Sequence, residues 1–214
     1  MPNLMPLIPL PVRNPGGEGF LSPEGAWLPS VTAAIKVKYP MPPATLPGFQ
    51  GALVRGRRVH ALTAAADMEG APSAHLARGE DAIRPYCEAW DAYRALHSIR
   101  MEVVEGLVYD PELGFAGYLD RLARYGDGSW GVIDLKTGAT GSRPSTWVKL
   151  QLVAYVHAAR ATFKLPVIHR AAVLLMPSGQ PRLFDYPVDD LAEDRERFAE
   201  CLRHKKQSVQ QSLH

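Results

Sequence analysis

Asp134 and Lys136 stand two residues apart at the end of an apolar run, "GVIDLKTGAT" (131–140), just before Gly138 breaks the chain. Side chains alternate across a strand, so residues two apart share a face. Asp134 and Lys136 are therefore expected to point the same way, with Leu135 aimed into a core. Asp120 ends a second such run, "FAGYLD" (115–120). A turn at Asp127-Gly128 makes the two runs neighbours in a hairpin. That brings Asp120 and Asp134 into cross-strand or diagonal reach. Two adjacent carboxylates repel one another and need a proton or a cation. A hard divalent cation such as Mg2+ takes oxygen ligands and keeps waters or substrate phosphate oxygens in its other positions. A lysine alongside adds a positive donor for that water or phosphate. Taken alone, an Asp-x-Lys triplet is most often an ion pair at a strand end.

The elements that must hold these residues follow from pattern. "LVRGRRVHALTAAADM" (53–68) reads as a helix with a basic start that carries His60. "EDAIRPYCEAWDAYRAL" (80–96) reads as a second, with Pro85 early, where a helix tolerates it. Three strands are expected next, over 101–110, 114–126 and 129–136, as a meander. A helix over 145–163 follows, with Ser145 placed to cap it and Trp147, Leu150, Ala154 and His157/Ala158 on one stripe. Strands over 167–176 and 181–188 flank the "PSGQ" turn. A closing helix over 189–208 has acids first and bases last, matching the helix dipole. Helices, three strands, helix, strands, helix predicts an α/β fold, a mixed central β-sheet flanked by helices.

The chain has 214 residues, 46% hydrophobic and 21% charged, with formal net charge +2. That is the profile of one ordinary globular domain and decides nothing about nucleic acid. No apolar run approaches the ~20 residues of a membrane helix, so no membrane partner is expected. The start, "MPNLMPLIPLPVRNPGG", is broken by prolines and lacks the form of a signal peptide; it reads as an extended arm. Residues 40–50 form a second Pro-rich loop. The domain reading is thus a Pro-rich arm and loop over 1–50, a folded α/β domain over 51–208 and a frayed tail over 209–214. The two cysteines, Cys87 and Cys201, are too few for a Cys-rich zinc site or a four-cysteine iron–sulfur cluster built by this chain alone. Reduced thiols in a cytoplasmic protein are the plainer reading.

The stretch "AGYLDRLARYGDGSWGVIDLKTGA…WVKLQLVAYVHA" resembles the RecB-like branch of the PD-(D/E)XK nuclease superfamily. That branch includes phage exonucleases, CRISPR-associated RecB-like nucleases and the mitochondrial genome maintenance exonuclease. The matching pieces come in order over residues 28–160. They are "LPSVTAAI" (28–35), Gly56 to His60, the acidic strand with Glu105, Gly117 to Asp120, Asp134-Leu135-Lys136-Thr137, and Gln151 to Tyr155. Ile133 stands where the superfamily's name has proline, and the cysteines that bind iron–sulfur in some relatives are missing.

The resemblance implies a PD-(D/E)XK restriction-endonuclease-like core and a Mg2+- or Mn2+-dependent DNA exonuclease of phage, recombination, replication or repair. It implies metal ligands at His60, Asp120, Asp134 and the carbonyl of Leu135. Lys136 would position the attacking water and steady the scissile phosphate, and Glu105 would join the catalytic set. Gln151 and Tyr155, four apart on one helix face, would hold the DNA backbone or brace the lysine. Arg55, Arg57 and Arg58 lie beside His60 and suit phosphate contacts. No iron–sulfur cluster is expected. DNA is the implied partner, with a single-strand annealing or recombination protein as a second, and processivity would come from oligomerisation or a partner. The alternatives are an endonuclease, or a nuclease-fold protein that binds DNA or a partner without cutting.

Overall fold

A computed structural model describes residues 4–40, 45, 48–139, 143–187 and 190–211. The Pro-rich loop over 40–50 falls largely outside them, as do Pro2 and the last three residues of the tail. Strands β4 (Arg100–Asp110), β5 (Phe115–Arg124), β6 (Trp130–Thr137), β7 (Val167–Leu175) and β8 (Pro181–Asp185) form one sheet in that order. The first three make the expected antiparallel meander. Helix α5 (Thr146–Phe163) then crosses over, so β7 returns parallel to β6, and β8 folds back antiparallel. The sheet is mixed because one of its connections is a helix and the others are tight turns.

Helices cover both faces. On one lie α5, α1 (Val31–Lys36) and α6 (Leu191–Gln211); on the other lie α2 (Phe49–Glu69) and α4 (Arg84–His97). Helix α5 is apolar nearly all round. It buries Leu150, Val153, Ala154 and Phe163 between the sheet and the outer helices, as a helix with neighbours on several sides must. Helix α4 is amphipathic and presents Tyr86, Trp90 and Tyr93 to Ile133, Leu135 and Val173 of the sheet.

Several boundaries differ from expectation. The N-terminal segment is no extended arm: β1 (Val12–Arg13), β2 (Phe20–Leu21) and β3 (Trp27–Leu28) form a small antiparallel sheet. Phe20 and Leu28 seal it against Tyr109 and Ala116 of the main sheet. Ser30 then caps α1 through its side chain and bridges to Ala116, which seats α1 on β5. The second helix starts at Arg84, because residues 80–83 form a turn around Glu80 and Ile83. A one-turn helix, α3 (Ser73–Leu76), precedes it, tied down by Asp91. Ser145 takes the N-cap backbone position of α5 but makes no side-chain cap. Helix α6 keeps its first-turn acids but runs to Gln211, so its bases fall before the last turn. Cys87 and Cys201 are both buried and free. Among the described residues, no helix is long and apolar enough to cross a membrane.

Candidate metal and phosphodiester site

The site forms where β5 and β6 part. Their pairing runs from Arg124–Trp130 to Arg121–Ile133 and stops. Asp120 and Asp134 are the next residues on each strand. Beyond that point the Asp120 carboxylate, not its backbone, bonds to β6: Oδ2 accepts from the Leu135 N–H at 2.8 Å. The end of β6 therefore continues alone beside β7, with Asp134 and Lys136 on one face and Leu135 fully buried on the other.

A slip in strand alternation turns the acids toward this opening. On β4, Val103 packs toward α5 and Val104 toward α2 and α4. Alternation would return Glu105 to the α5 side. Instead Glu105 sits in the left-handed region (φ 48°). Gly106 takes the place beside Val103: a Cβ on Gly106 would stand 2.1 Å from Val103 Cγ1. The facing strand slips in step. Leu119 packs toward α5, while Arg121 reaches across to Asp67 of α2. Glu105 and Asp120 lie between the Val104–Arg121 and Gly106–Leu119 pairs, released from both cores.

Helix α2 supplies the third group. Its Val59, Leu62 and Thr63 are buried, and His60, on the flank, meets the strand ends. His60 Nε2 lies 3.0 Å from the Leu135 carbonyl. Donation from Nε2 to that carbonyl leaves Nδ1 as the free lone pair. Nδ1 is 3.5 Å from Glu105 Oε1 and 3.8 Å from Asp120 Oδ2. These three side chains offer donor atoms within 4.8 Å of one another. An imidazole nitrogen with two carboxylate oxygens is a donor set that fits a divalent cation.

Asp134 stands next to that cluster. It is 1% exposed, and its Oδ2 is 2.6 Å from Lys136 Nζ. Neither carboxylate oxygen has a hydrogen bond of good geometry. Burial pushes the Asp134 carboxyl up to about 6, against the pull of Lys136 and with a further push from Asp120. Burial also draws the Lys136 ammonium down, but Asp134, Asp120 and Glu105 outweigh it and leave the pKa raised. His60 behaves likewise: burial lowers it, and Asp120 and Glu105 more than reverse this. The concentration of negative charge raises the pKa of both groups. Orphaned, buried carboxylate oxygens in such a field are what a cation would satisfy.

The other expected residues divide. Gln151 and Tyr155 are buried on α5, joined by a 3.4 Å hydrogen bond. They form the floor under β5, where Tyr155 Cε1 would touch a Cβ on Gly117 at 3.0 Å. Of the three arginines, Arg58 forks onto Glu80 and Arg55 lies over the Tyr86 ring. Only Arg57 is exposed and, among the described residues, without a partner; it lines a hollow with His60 and Lys136. The helical phase of α2 separates three arginines that the sequence groups together.

One group escapes sequence reading altogether. Arg121 is fully buried. It donates to Asp67 Oδ2 (2.6 Å), Glu105 Oε1 (2.9 Å), the Asp120 carbonyl (2.7 Å) and Thr63 Oγ1 (3.0 Å). Asp67 also accepts from Trp90 Nε1 and pairs with Arg94. The signal was present: Asp67 falls four residues after Thr63, on the buried face of an alanine-rich helix. A charge there needs a partner.

A search of curated proteins gives no match for the chain. The model of the PD-(D/E)XK nuclease superfamily matches residues 47–213, which takes in α2, the whole five-stranded sheet and the Asp134-Leu135-Lys136 strand end. With the mixed sheet, its flanking helices and that strand end inside the matched span, the chain belongs to the PD-(D/E)XK nuclease superfamily.

Proposed function

We propose that this protein is a divalent-metal-dependent deoxyribonuclease, and specifically an exonuclease acting on DNA ends in recombination, replication or repair, of the type phages encode. The observation that carries the reading is the convergence of His60, Glu105 and Asp120 beside the buried Asp134–Lys136 pair. A structural ion pair has no need of three further titratable groups around it, nor of a buried carboxylate whose Oδ1 has no partner among the described residues.

In this reading His60, Asp120 and Asp134 hold Mg2+ or Mn2+, with Glu105 beside His60 and the Leu135 carbonyl at the rim. Bound there, the cation supplies a water of lowered pKa and offsets charge on the phosphate. Lys136 keeps its proton and stabilises negative charge developing on the scissile phosphate. His60 donates from Nε2 to Leu135, which fixes the ring so that Nδ1 faces inward. Gln151 and Tyr155 brace β5, the strand that carries Asp120, and Arg57 contacts the DNA backbone. The imidazole in the set favours Mn2+ over Mg2+ relative to an all-oxygen site. The catalytic unit is residues 51–208, and a single-strand annealing or recombination protein is the partner this activity would feed.

Covalently closed circular DNA and its linearised form, incubated with Mn2+, test the reading. Loss of the linear form alone is expected. Equal loss of both makes the protein an endonuclease, and loss of neither leaves a nuclease fold that binds without cutting.

A further inference from the structure

The first turns of α2 are apolar on a face that, among the described residues, joins none of the buried clusters. Phe49, Ala52, Leu53, Gly56 and Arg57 follow one another at i, i+3, i+4, i+7 and i+8, and His60 ends the row. The helix buries a different side: Val59, Leu62 and Ala64. Among the described residues, Phe49, Ala52 and Leu53 belong to none of the apolar clusters, and all three are half-buried. Together with Lys136 and Thr137 they line a hollow of ≈ 570 Å3, within the size range of small-ligand sites. One end of it is therefore His60 and Lys136, the groups that face the scissile phosphate; Arg57 is exposed along its side.

We propose that this hollow takes one unpaired nucleobase, a few nucleotides along the strand from the phosphate being cut, and so makes the enzyme act on single-stranded or frayed ends. The inference rests on the exonuclease reading and adds the substrate class to it. Its chemistry is matched part by part. A nucleotide has an apolar, flat base one sugar away from an anionic phosphate. The hollow has an aliphatic wall one helical turn from Arg57 and, at its far end, the Phe49 ring, about 16 Å along the helix from His60, so a strand leaving the cut phosphate reaches the ring after a few nucleotides. Phe49 offers the ring for stacking, which tolerates any base because every base has a π-face. Arg57 and Lys136 supply the positive charge that tracks the backbone. A paired base stays in its stack, and taking it out has an unpairing cost. A terminal base that is already free enters without that cost. The α2 row is thus a selector for unpaired ends as well as the carrier of His60.

The experiment compares three substrates of one sequence: a blunt duplex, the same duplex with unpaired terminal nucleotides, and a single strand. Wild type with Mn2+ is expected to shorten the unpaired ends at least about tenfold faster than the blunt ones, the scale of one base–aromatic stack. Phe49→Ala is expected to bring that ratio toward one, and Phe49→Trp to restore it. The rise in melting temperature on adding Mn2+ should be the same in all three proteins. With Ca2+ in place of Mn2+, a single strand carrying terminal 2-aminopurine should lose fluorescence on binding wild type, and not Phe49→Ala. Equal rates on blunt and unpaired ends, or a ratio unchanged by Phe49→Ala, overturn the proposal while leaving the nuclease intact. If no DNA is cut, the exonuclease reading fails, and the fluorescence alone decides the pocket: quenching in wild type that Phe49→Ala removes upholds it, and any other result ends it.

Discussion

Asp134 has two neighbours that give opposite expectations for its removal. If its partner were only Lys136, Asp134→Asn would cost a little stability and leave any activity in place. As a metal ligand, it should behave otherwise. Asp120→Asn and Asp134→Asn are expected to abolish cleavage of linear DNA with the fold intact. Added Mn2+ should raise the melting temperature of wild type by mass action and of these variants much less. Lys136→Ala should lose cleavage yet keep the Mn2+ response, because an ammonium is no ligand. Cleavage retained by Asp134→Asn would end the metal reading. Arg121 gives a second test at this scale. Removing one partner of a buried pair leaves the other charge unpaired, at about 3–5 kcal/mol. Arg121→Gln should therefore lower stability sharply in denaturant melts. The double variant Asp67→Asn/Arg121→Gln should be less destabilised than the two single losses added together. Additive losses would mean that the Arg121–Asp67 contact carries little energy. Asp134, Lys136 and Asp120 were legible as candidates because they end apolar strands joined by a turn, whereas His60 and Glu105 entered only through the resemblance to the RecB-like branch. Arg121 was not, because a single arginine on a strand reads as a solvent-facing residue until the opposing buried Asp67 is noticed.

The elements from α2 to α6 follow periodicity closely, and their discrepancies have local causes. What pattern could not show is the slip of alternation at Glu105 and Asp120, since a period-2 reading has no place for a residue that belongs to neither face. Gly106 is the physical mark of it. Gly106→Ala would bring a methyl against Val103, whose branched carbons cannot swing clear. Overpacking of this kind costs about 1–3 kcal/mol. The melting temperature should fall, and Val103→Ala in the same chain should recover most of it. No recovery would place the strain elsewhere. Helix α5 carries a separate expectation. His157 is partly buried with an unpartnered Nε2, and burial and the nearby Arg195 push its pKa down to about 4. A histidine depressed in the folded state binds its proton more readily when unfolded. Stability should therefore fall as pH drops from about 6.5 toward 4, and His157→Gln should flatten that part of the melting-temperature profile. Parallel curves for the two proteins would count against the shift.

At the scale of the whole molecule, the N-terminal segment was the least legible part. Two-residue strands carry no periodicity, and their prolines and glycines read as loop. What makes them strands is tertiary: Phe20 and Leu28 close over Tyr109 and Ala116. Helix α1 contributes Val31, Ala34 and Ile35 to the largest apolar cluster. A chain begun at residue 51 would leave that cluster open, so it should show a broad, uncooperative melt, whereas the full chain melts cooperatively. A sharp melt for the shortened chain would make residues 51–208 a folding unit by themselves.

The left-handed backbone of Glu105 bears on how this protein would change under laboratory selection. An L-residue with a side chain holds that conformation at a cost of about 1–2 kcal/mol, and glycine holds it freely. Glycine gives up the ion pair with Arg121, but Arg121 keeps Asp67, Thr63 and the Asp120 carbonyl and the neighbouring Asp120 loses a repelling charge, so a library selected for heat resistance alone should be enriched in Glu105→Gly. Such winners would be hardier proteins with a vacancy beside His60. A selection that also demanded DNA breakdown should keep the glutamate and find its stability elsewhere, so comparing the two lineages would reveal at position 105 what the proposed metal site costs the fold.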